Sequence, residues 1–125
     1  MSSVYSLTTR PLAPGQKEAL YAALGEALGE TFRSYSMMFS PLPPENCGGN
    51  AAGRTLVYVC VPPYMENDRR RKLIADLGAA VEQVFGPGAA STLDVIFPYH
   101  SDDNCGVHGV MRSDALAAQS GRSAR

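Results

Sequence analysis

Cys105, His108 and His100 are of the residue types that perform metal or nucleophilic chemistry, and they lie close together in the sequence. Cys105 and His108 are three positions apart in a glycine-rich segment, residues 104–109. Thiolate and imidazole ligate zinc, but a zinc site needs three or four ligands, and only His100 is near enough in sequence to join them. A nucleophilic cysteine would need surroundings that lower its thiol pKa. The simpler interpretation is a structural turn in which the cysteine packs as a small apolar residue, and we expect no metal.

The cysteine belongs to a motif that occurs twice. Phe39 is followed eight residues later by Cys47, within Glu-Asn-Cys-Gly, and Phe97 is followed eight residues later by Cys105, within Asp-Asn-Cys-Gly. An acid-Asn-Cys-Gly sequence at the same distance from two phenylalanines indicates that the chain contains an internal duplication.

Arginines are the candidates for binding an anionic ligand. Arg10 follows the first predicted strand, and ligands of βαβ units bind beyond the carboxyl ends of strands. Arg54 and Arg112 each follow a predicted hairpin region, where a surface role is the simpler interpretation. The basic run Arg69–Lys72 opens a predicted helix, where positive charges oppose the helix dipole, and a solvated face is its simplest explanation.

Hydrophobic periodicity predicts the elements that must position these side chains. Apolar residues recur at helical spacing from Gln16 to Phe32, and again from an Asn67 N-cap to the Gly-Pro-Gly at residues 86–88. Short β-branched and aromatic runs predict four strands. These are Val4–Thr8, Tyr35–Phe39, Leu56–Val61 and Leu93–Phe97. The third is apolar throughout, which predicts burial on both faces.

The order of elements is β-α-β, linker, β-α-β, which predicts an α+β fold with a four-stranded mixed sheet and two helices on one face. We expect one domain over residues 1–112, with repeats over 2–54 and 55–112, and a flexible tail over 113–125. The sheet face away from the helices is left bare, which predicts that a partner subunit covers it.

Composition narrows the classes of partner and location. The 125 residues carry a net charge of −1, and no basic block extends beyond Arg69–Lys72, so we expect no nucleic-acid ligand. We expect no membrane span and no signal peptide, because no apolar run is long enough. Three cysteines without a secretory signal predict reduced thiols in the cytoplasm. We expect no organic cofactor, because the chain contains no glycine-rich phosphate loop.

The layout resembles the tautomerase superfamily, and most closely the cis-3-chloroacrylic acid dehalogenase group. Two stretches carry the likeness: residues 7–28, and residues 93–97 with the glycine-containing turn at 104–109. The resemblance implies a homotrimer that acts on a small molecule. It also implies an N-terminal proline, exposed by methionine removal, whose amine acts as base, acid or nucleophile in a dry pocket.

This chain departs from that pattern. Ser2 occupies the position of the proline, and removal of Met1 would expose a primary amine there. At four positions where the dehalogenases carry charged or catalytic residues, this chain has other residues instead: Leu12, Leu28, Asp94 and Asn104. The resemblance therefore does not imply the addition of water to an unsaturated acid.

The expected function is a tautomerase-like isomerase or lyase for a small enolisable carbonyl or carboxylate compound. Ser2, Cys105 and His108 are the predicted catalytic residues, and Arg10, Asn104 and Arg112 are predicted to bind substrate. Two alternatives stay open. One is a diverged enzyme on the same fold that uses Cys105 and His108 chemistry in a biosynthetic pathway. The other is a non-catalytic trimeric binding protein.

Overall fold

The computed structural model describes residues 2–123, which form six strands, three α-helices and two short 3-10 helices at Pro44–Asn46 and Ala89–Thr92. In chain order the strands and α-helices are β1 (Ser2–Thr8), α1 (Gln16–Gly29), β2 (Tyr35–Pro41), β3 (Thr55–Cys60), α2 (Asn67–Phe85), β4 (Leu93–Ile96), β5 (Gly106–Val107), β6 (Val110–Met111) and α3 (Arg112–Ser123).

Four of the strands form one mixed sheet in the order β2-β1-β3-β4. The pairs β1–β2 and β3–β4 are parallel, and each is connected through a helix, as a parallel pair requires. The central pair, β1 and β3, is antiparallel, with Ser3 opposite Cys60 and Thr8 opposite Thr55. This arrangement confirms the predicted fold of two βαβ units.

The core lies between the sheet and the two long helices, which pack on each other. Leu20, Leu24 and Leu28 recur every four residues along α1, and Leu73 and Leu77 do so on α2, so each helix buries one stripe. These leucines pack against the residues of β1 and β3 that face the helices: Val4, Val57 and Val59.

Burial of β3 alternates along the strand, so the prediction that both of its faces are buried was wrong for the single chain. Its inward residues are buried, whereas Leu56, Tyr58 and Cys60 on the other face are half-buried. The continuous apolar run reflects a second apolar face, because alternate side chains of a strand point to opposite sides of the sheet.

Both helices begin or end at residues other than those predicted. Helix α1 ends at Gly29 rather than Phe32, because the backbone N–H groups of Thr31 and Phe32 both turn back to the carbonyl of Leu28. The N-cap of α2 is Glu66, without a side-chain capping bond, and Asn67 is the first helical residue. The Asn67 side chain instead accepts a hydrogen bond from Arg70.

The segment predicted to be a flexible tail is helical from Arg112 to Ser123. Its alanines, Leu116 and Gln119 favour a helix. The sequence prediction gave more weight to the small and polar residues of the segment, which are typical of a disordered tail. The backbone N–H groups of Arg112 and Ser113 donate to the carbonyls of Cys105 and Asp102, at 2.8 Å each, and these bonds fix the start of α3.

The two Asn-Cys-Gly motifs adopt different structures. Cys47 directly follows the short 3-10 helix, and its thiol lies 3.4 Å from the carbonyl oxygen of Pro43. Cys105 directly precedes the small hairpin formed by β5 and β6. Among the described residues, no helix is both long and apolar enough to cross a membrane.

Candidate active site

A cleft of about 660 Å³ opens at the end of the sheet where β1 begins and β3 and β4 end. Ser2 lines it and is 6% exposed. One wall consists of Pro62–Glu66 with Phe32 and Arg69, and the other of His100–Asp102 with Arg112. The cleft therefore combines the buried first residue of β1, two arginines and an imidazole.

Ser2 is held by its place in the sheet. Its backbone N lies 3.5 Å from the carbonyl oxygen of Ser34, and β1 pairs with β2 from Ser2 onward. On the other side, Ser3 faces Cys60, and the same antiparallel register continued by one residue places Val61 opposite Ser2. Val61 is fully buried. The main chain at Ser2 is thus fixed between two neighbouring strands.

His100 is attached to Val61 as well, on the side of that residue away from Ser2. Its backbone N–H donates to the carbonyl of Val61 at 3.1 Å, and the N–H of Val61 donates to Pro98 at 3.0 Å. Val61 also forms a parallel bridge with Tyr99, whose ring lies 5.2 Å from the Arg70 guanidinium. Ser2 and His100 therefore flank Val61. Their main chains are about 10 Å apart, which is twice the spacing between neighbouring strands.

The two arginines of the cleft have different partners. Arg112 donates from Nε to Asp102 at 2.9 Å, in an ion pair whose side chains are 42% and 56% exposed. Within the described residues, its two terminal nitrogens make no hydrogen bond. Arg69 donates to the carbonyl of Thr31 at 2.7 Å and lies 6.0 Å from the Phe32 ring. Arg112 therefore keeps the donors that bind a carboxylate in fork geometry.

Arg10 lies at the opposite end of the sheet. It follows β1, about 20 Å along the strand direction from Ser2 at 3.3 Å per residue. Its guanidinium donates to Thr92 at 2.8 Å and stacks 4.4 Å from the centre of the Phe85 ring. Within one chain, Arg10 and Ser2 do not share a site.

Asn104 and Cys105 line a shallow depression beside the hairpin. The Asn104 side-chain oxygen accepts a hydrogen bond from the backbone N–H of Ser101 at 2.6 Å. The backbone N–H of Asn104 in turn donates to the Ser101 carbonyl at 3.2 Å. This is the local turn chemistry typical of asparagine. In the single chain, its amide oxygen is directed at the backbone and not at the cleft.

His108 lies in the turn between β5 and β6, at a φ of 55°. It borders a separate depression between the hairpin and α3. Among the described residues, no three His, Cys, Asp or Glu side chains converge to hold a metal ion. The structure thus brings Ser2 and Arg112 together, and leaves Cys105, Asn104, His108 and Arg10 outside the cleft of the single chain.

Sequence reasoning did not select His100, Arg69 or Tyr64 for the site. His100 was considered only as a zinc ligand, and Arg69 only as part of a solvated helix face. The available signal was the strand exit Pro62-Pro63-Tyr64, which leaves Tyr64 83% exposed on one wall of the cleft. Two prolines end β3 and carry the chain outward, since proline cannot donate to a sheet ladder.

Comparison with known proteins finds likeness in structure but not in sequence. No family model and no curated protein matches the chain. A fused 4-OT, solved as an asymmetric trimer, superposes with a TM-score of 0.74 at 15% identity, over 92% of this chain and 98% of that one. Pt0534, solved after inactivation by 2-oxo-3-pentynoate, superposes with a TM-score of 0.71 at 17% identity, over 92% and 97% of the chains.

Malonate semialdehyde decarboxylase superposes with a TM-score of 0.66 at 16% identity, over 93% of this chain and 97% of that one. The match extends over nearly the whole of each chain, so it includes both βαβ units and their connection. The chain therefore has the same fold as these solved proteins, with two βαβ units in one chain and Ser2 at the start of its first strand.

Proposed function

We propose that the protein is an isomerase or lyase that moves a proton between carbon and oxygen of a small enolisable carboxylate. The observation that carries the proposal is the place of Ser2, buried in a cleft that also contains two arginines. Removal of Met1 before the small Ser2 would put a primary amine in that cleft. This amine is the proposed proton-transfer group at the substrate carbon, taking a proton as the free amine and giving one as the ammonium.

The chemistry requires an amine that is partly unprotonated near neutral pH. An unperturbed α-amino group has a pKa of about 8. Desolvation disfavours the ammonium form, and the low exposure of Ser2 supports such an effect; the two arginines that line the same cleft would act in the same direction, and the carboxylates of Glu66 and Asp102 would oppose them. A primary amine in this place can therefore take a proton from an enol or from a carbon next to a carbonyl.

Arg112 is the proposed anchor for the substrate carboxylate, because its terminal nitrogens are free within the described residues. Arg10 is engaged by Thr92 and Phe85 and lies far from Ser2 of its own chain. We retain it as a candidate for the cleft of a neighbouring subunit. Asn104, Cys105 and His108 are likewise candidates in an assembly, where a second chain can extend a cleft that is open here.

A homotrimer is part of this proposal. Four of the solved fused 4-OT structures are described as trimers. In this chain the sheet face away from the helices carries exposed apolar side chains: Tyr5, Met38 and Ile96. An apolar face of this kind is typical of a surface that a partner covers. We also propose a cytoplasmic location, which the three free cysteines favour.

The test combines mass and activity. Intact mass of the purified protein should show that Met1 is absent, and a retained Met1 contradicts the amine mechanism. Ketonisation of the enol forms of small 2-oxo acids can be followed by ultraviolet absorbance. We expect turnover by the wild-type protein. Turnover that is lost in Cys105→Ala or His108→Ala would favour the diverged-enzyme alternative, and no turnover with any acid would favour a binding protein.

Arg112→Ala should raise the KM for the carboxylate at least tenfold, since a bidentate charge-assisted pair is lost. Its matched control is Arg71→Ala, because Arg71 is an exposed arginine paired with Asp68 on α2 and lies outside the cleft. Equal KM values for the two variants would contradict the assignment of Arg112.

A further inference from the structure

We propose that His100 is a second catalytic residue of the cleft, which exchanges a proton with the substrate oxygen while the Ser2 amine serves the carbon. This inference rests on the proposed function and goes beyond it, because it names the partner that completes the proton transfer. The fused 4-OT likeness says nothing about this residue. The position of His100 at the end of the sheet supports this role.

The first step is position. Ser2 and His100 lie on opposite sides of Val61, one through the β1–β3 register and the other through the hydrogen bond from the His100 backbone. Two strand spacings separate their main chains by about 10 Å, a distance that a small acid in the cleft beside Val61 can span. Both residues line the same cleft, so one substrate can contact both.

The second step is rigidity. The chain around His100 is attached to β3 by two backbone hydrogen bonds and a bridge at Val61, and Tyr99 is stacked against Arg70 of α2. A proton-transfer group must stay within hydrogen-bond reach of the reacting atom, which such attachments favour. By contrast, His108 lies at the tip of the small hairpin, outside the cleft.

The third step is chemistry. Histidine is the side-chain type that most readily changes its charge between pH 5 and 8. The charged and titratable side chains that line the cleft with it are Glu66 and Arg69 from α2, Tyr64 before that helix, and Asp102 and Arg112 from the C-terminal wall. Removal of Met1 would add the Ser2 amine. Asp102 is paired with Arg112, and within the described residues the His100 side chain makes no hydrogen bond or ion pair.

The proposed step balances as follows for an enol substrate. The imidazole takes the proton of the enol O–H group, and the electron pair of that bond forms the carbonyl. The pair of the former C=C bond takes a proton from the Ser2 ammonium and forms a C–H bond. The proton then returns from the imidazolium to the amine through water. The step involves no change of oxidation state, so it requires no oxidant, reductant or other co-reactant.

The experiment uses the full-length protein and the ketonisation assay, with His100→Ala and His100→Gln. We expect kcat to fall about 100-fold in both variants, with KM within about threefold of the wild-type value, as is usual for loss of a general acid or base. Added imidazole should restore activity to His100→Ala, which opens a space in the cleft, and not to His100→Gln. The control is Glu18→Gln, on the exposed surface of α1.

The outcomes separate the two hypotheses. Wild-type protein that turns over no enol acid contradicts the proposed function and the role of His100 with it. An active wild type whose His100→Ala variant keeps its kcat and pH profile contradicts only the inference about His100. A fall in kcat that imidazole does not restore, with a lowered melting temperature, assigns His100 a structural role and also overturns the inference.

Discussion

At the scale of single residues, the Arg112–Asp102 ion pair decides how strongly the cleft attracts an anion. The Asp102 carboxylate accepts the hydrogen bond from Nε of Arg112, and it places a negative charge on the same wall of the cleft. A substrate carboxylate must therefore bind beside an existing carboxylate. The pair is exposed enough that its own contribution to stability is small, on the order of 0–1 kcal/mol.

Asp102→Asn should lower the KM for a carboxylate substrate about three- to tenfold, because the variant removes the competing charge and keeps the side-chain shape. The melting temperature should change little. Steady-state kinetics at low ionic strength measures the effect, and added salt should reduce it. An unchanged or raised KM would mean that Asp102 orients Arg112 for the substrate instead of competing with it.

At the scale of elements, the turn before α1 depends on a backbone that glycine permits. Gly15 precedes the helix with φ 85°, a left-handed conformation, and its missing Cβ would meet no atom within 4 Å. The cost of a side chain there is thus conformational and not steric with respect to neighbouring residues. Gly29, the last residue of the same helix, has no positive φ and equal free space.

These two glycines form a matched pair. Gly15→Ala should lower the free energy of unfolding by about 1 kcal/mol, since left-handed backbone is costly for alanine. Gly29→Ala should raise it by about 0.5 kcal/mol, because alanine is the better helix former and restricts the unfolded chain. Urea unfolding followed by circular dichroism measures both. Changes of the same sign in the two variants would contradict the assignment.

At the scale of the whole molecule, the two faces of the sheet have different surroundings. Helices cover one face, and the other presents Tyr5, Met38 and Ile96, which are 43%, 61% and 45% exposed. Met38 on β2 is paired with Tyr5 on β1, and Tyr5 is paired with the half-buried Tyr58 on β3, which is paired with Ile96 on β4, so these side chains form one row across all four strands. Such a surface in a single chain is the physical basis of the proposed trimer.

Ile96→Glu should convert the assembly to monomers, because a charge in the covered face would be buried without a partner. Sedimentation should show roughly 40 kDa for the wild type, three chains of 13.3 kDa, and one third of that for the variant. Ile74→Glu is the control, since Ile74 is 43% exposed on α2, on the helix side of the sheet. If both variants sediment like the wild type, the trimer does not use this face.

The sequence by itself determined the order of elements and the pairing of the two units. Apolar spacing along Leu20–Leu28 and Leu73–Leu77 specifies one buried stripe on each helix, and short β-branched runs specify the strands, because burial repeats with the geometry of each element. The first strand was predicted over Val4–Thr8, whereas β1 begins two residues earlier, at Ser2. Element ends and the helical C-terminal segment were missed, because they depend on single backbone hydrogen bonds and on weak propensities.

Only the tertiary structure decided which chemistry-bearing residues meet. Cys105 and His108 are neighbours in sequence, yet they line separate depressions, whereas Ser2 and His100 are 98 positions apart and line one cleft. The antiparallel pairing of β1 with β3 brings the start of the chain next to Val61, and the bridge after β4 brings His100 there. Sequence spacing reports local geometry, and this site is formed by contacts between distant strands, which only folding establishes.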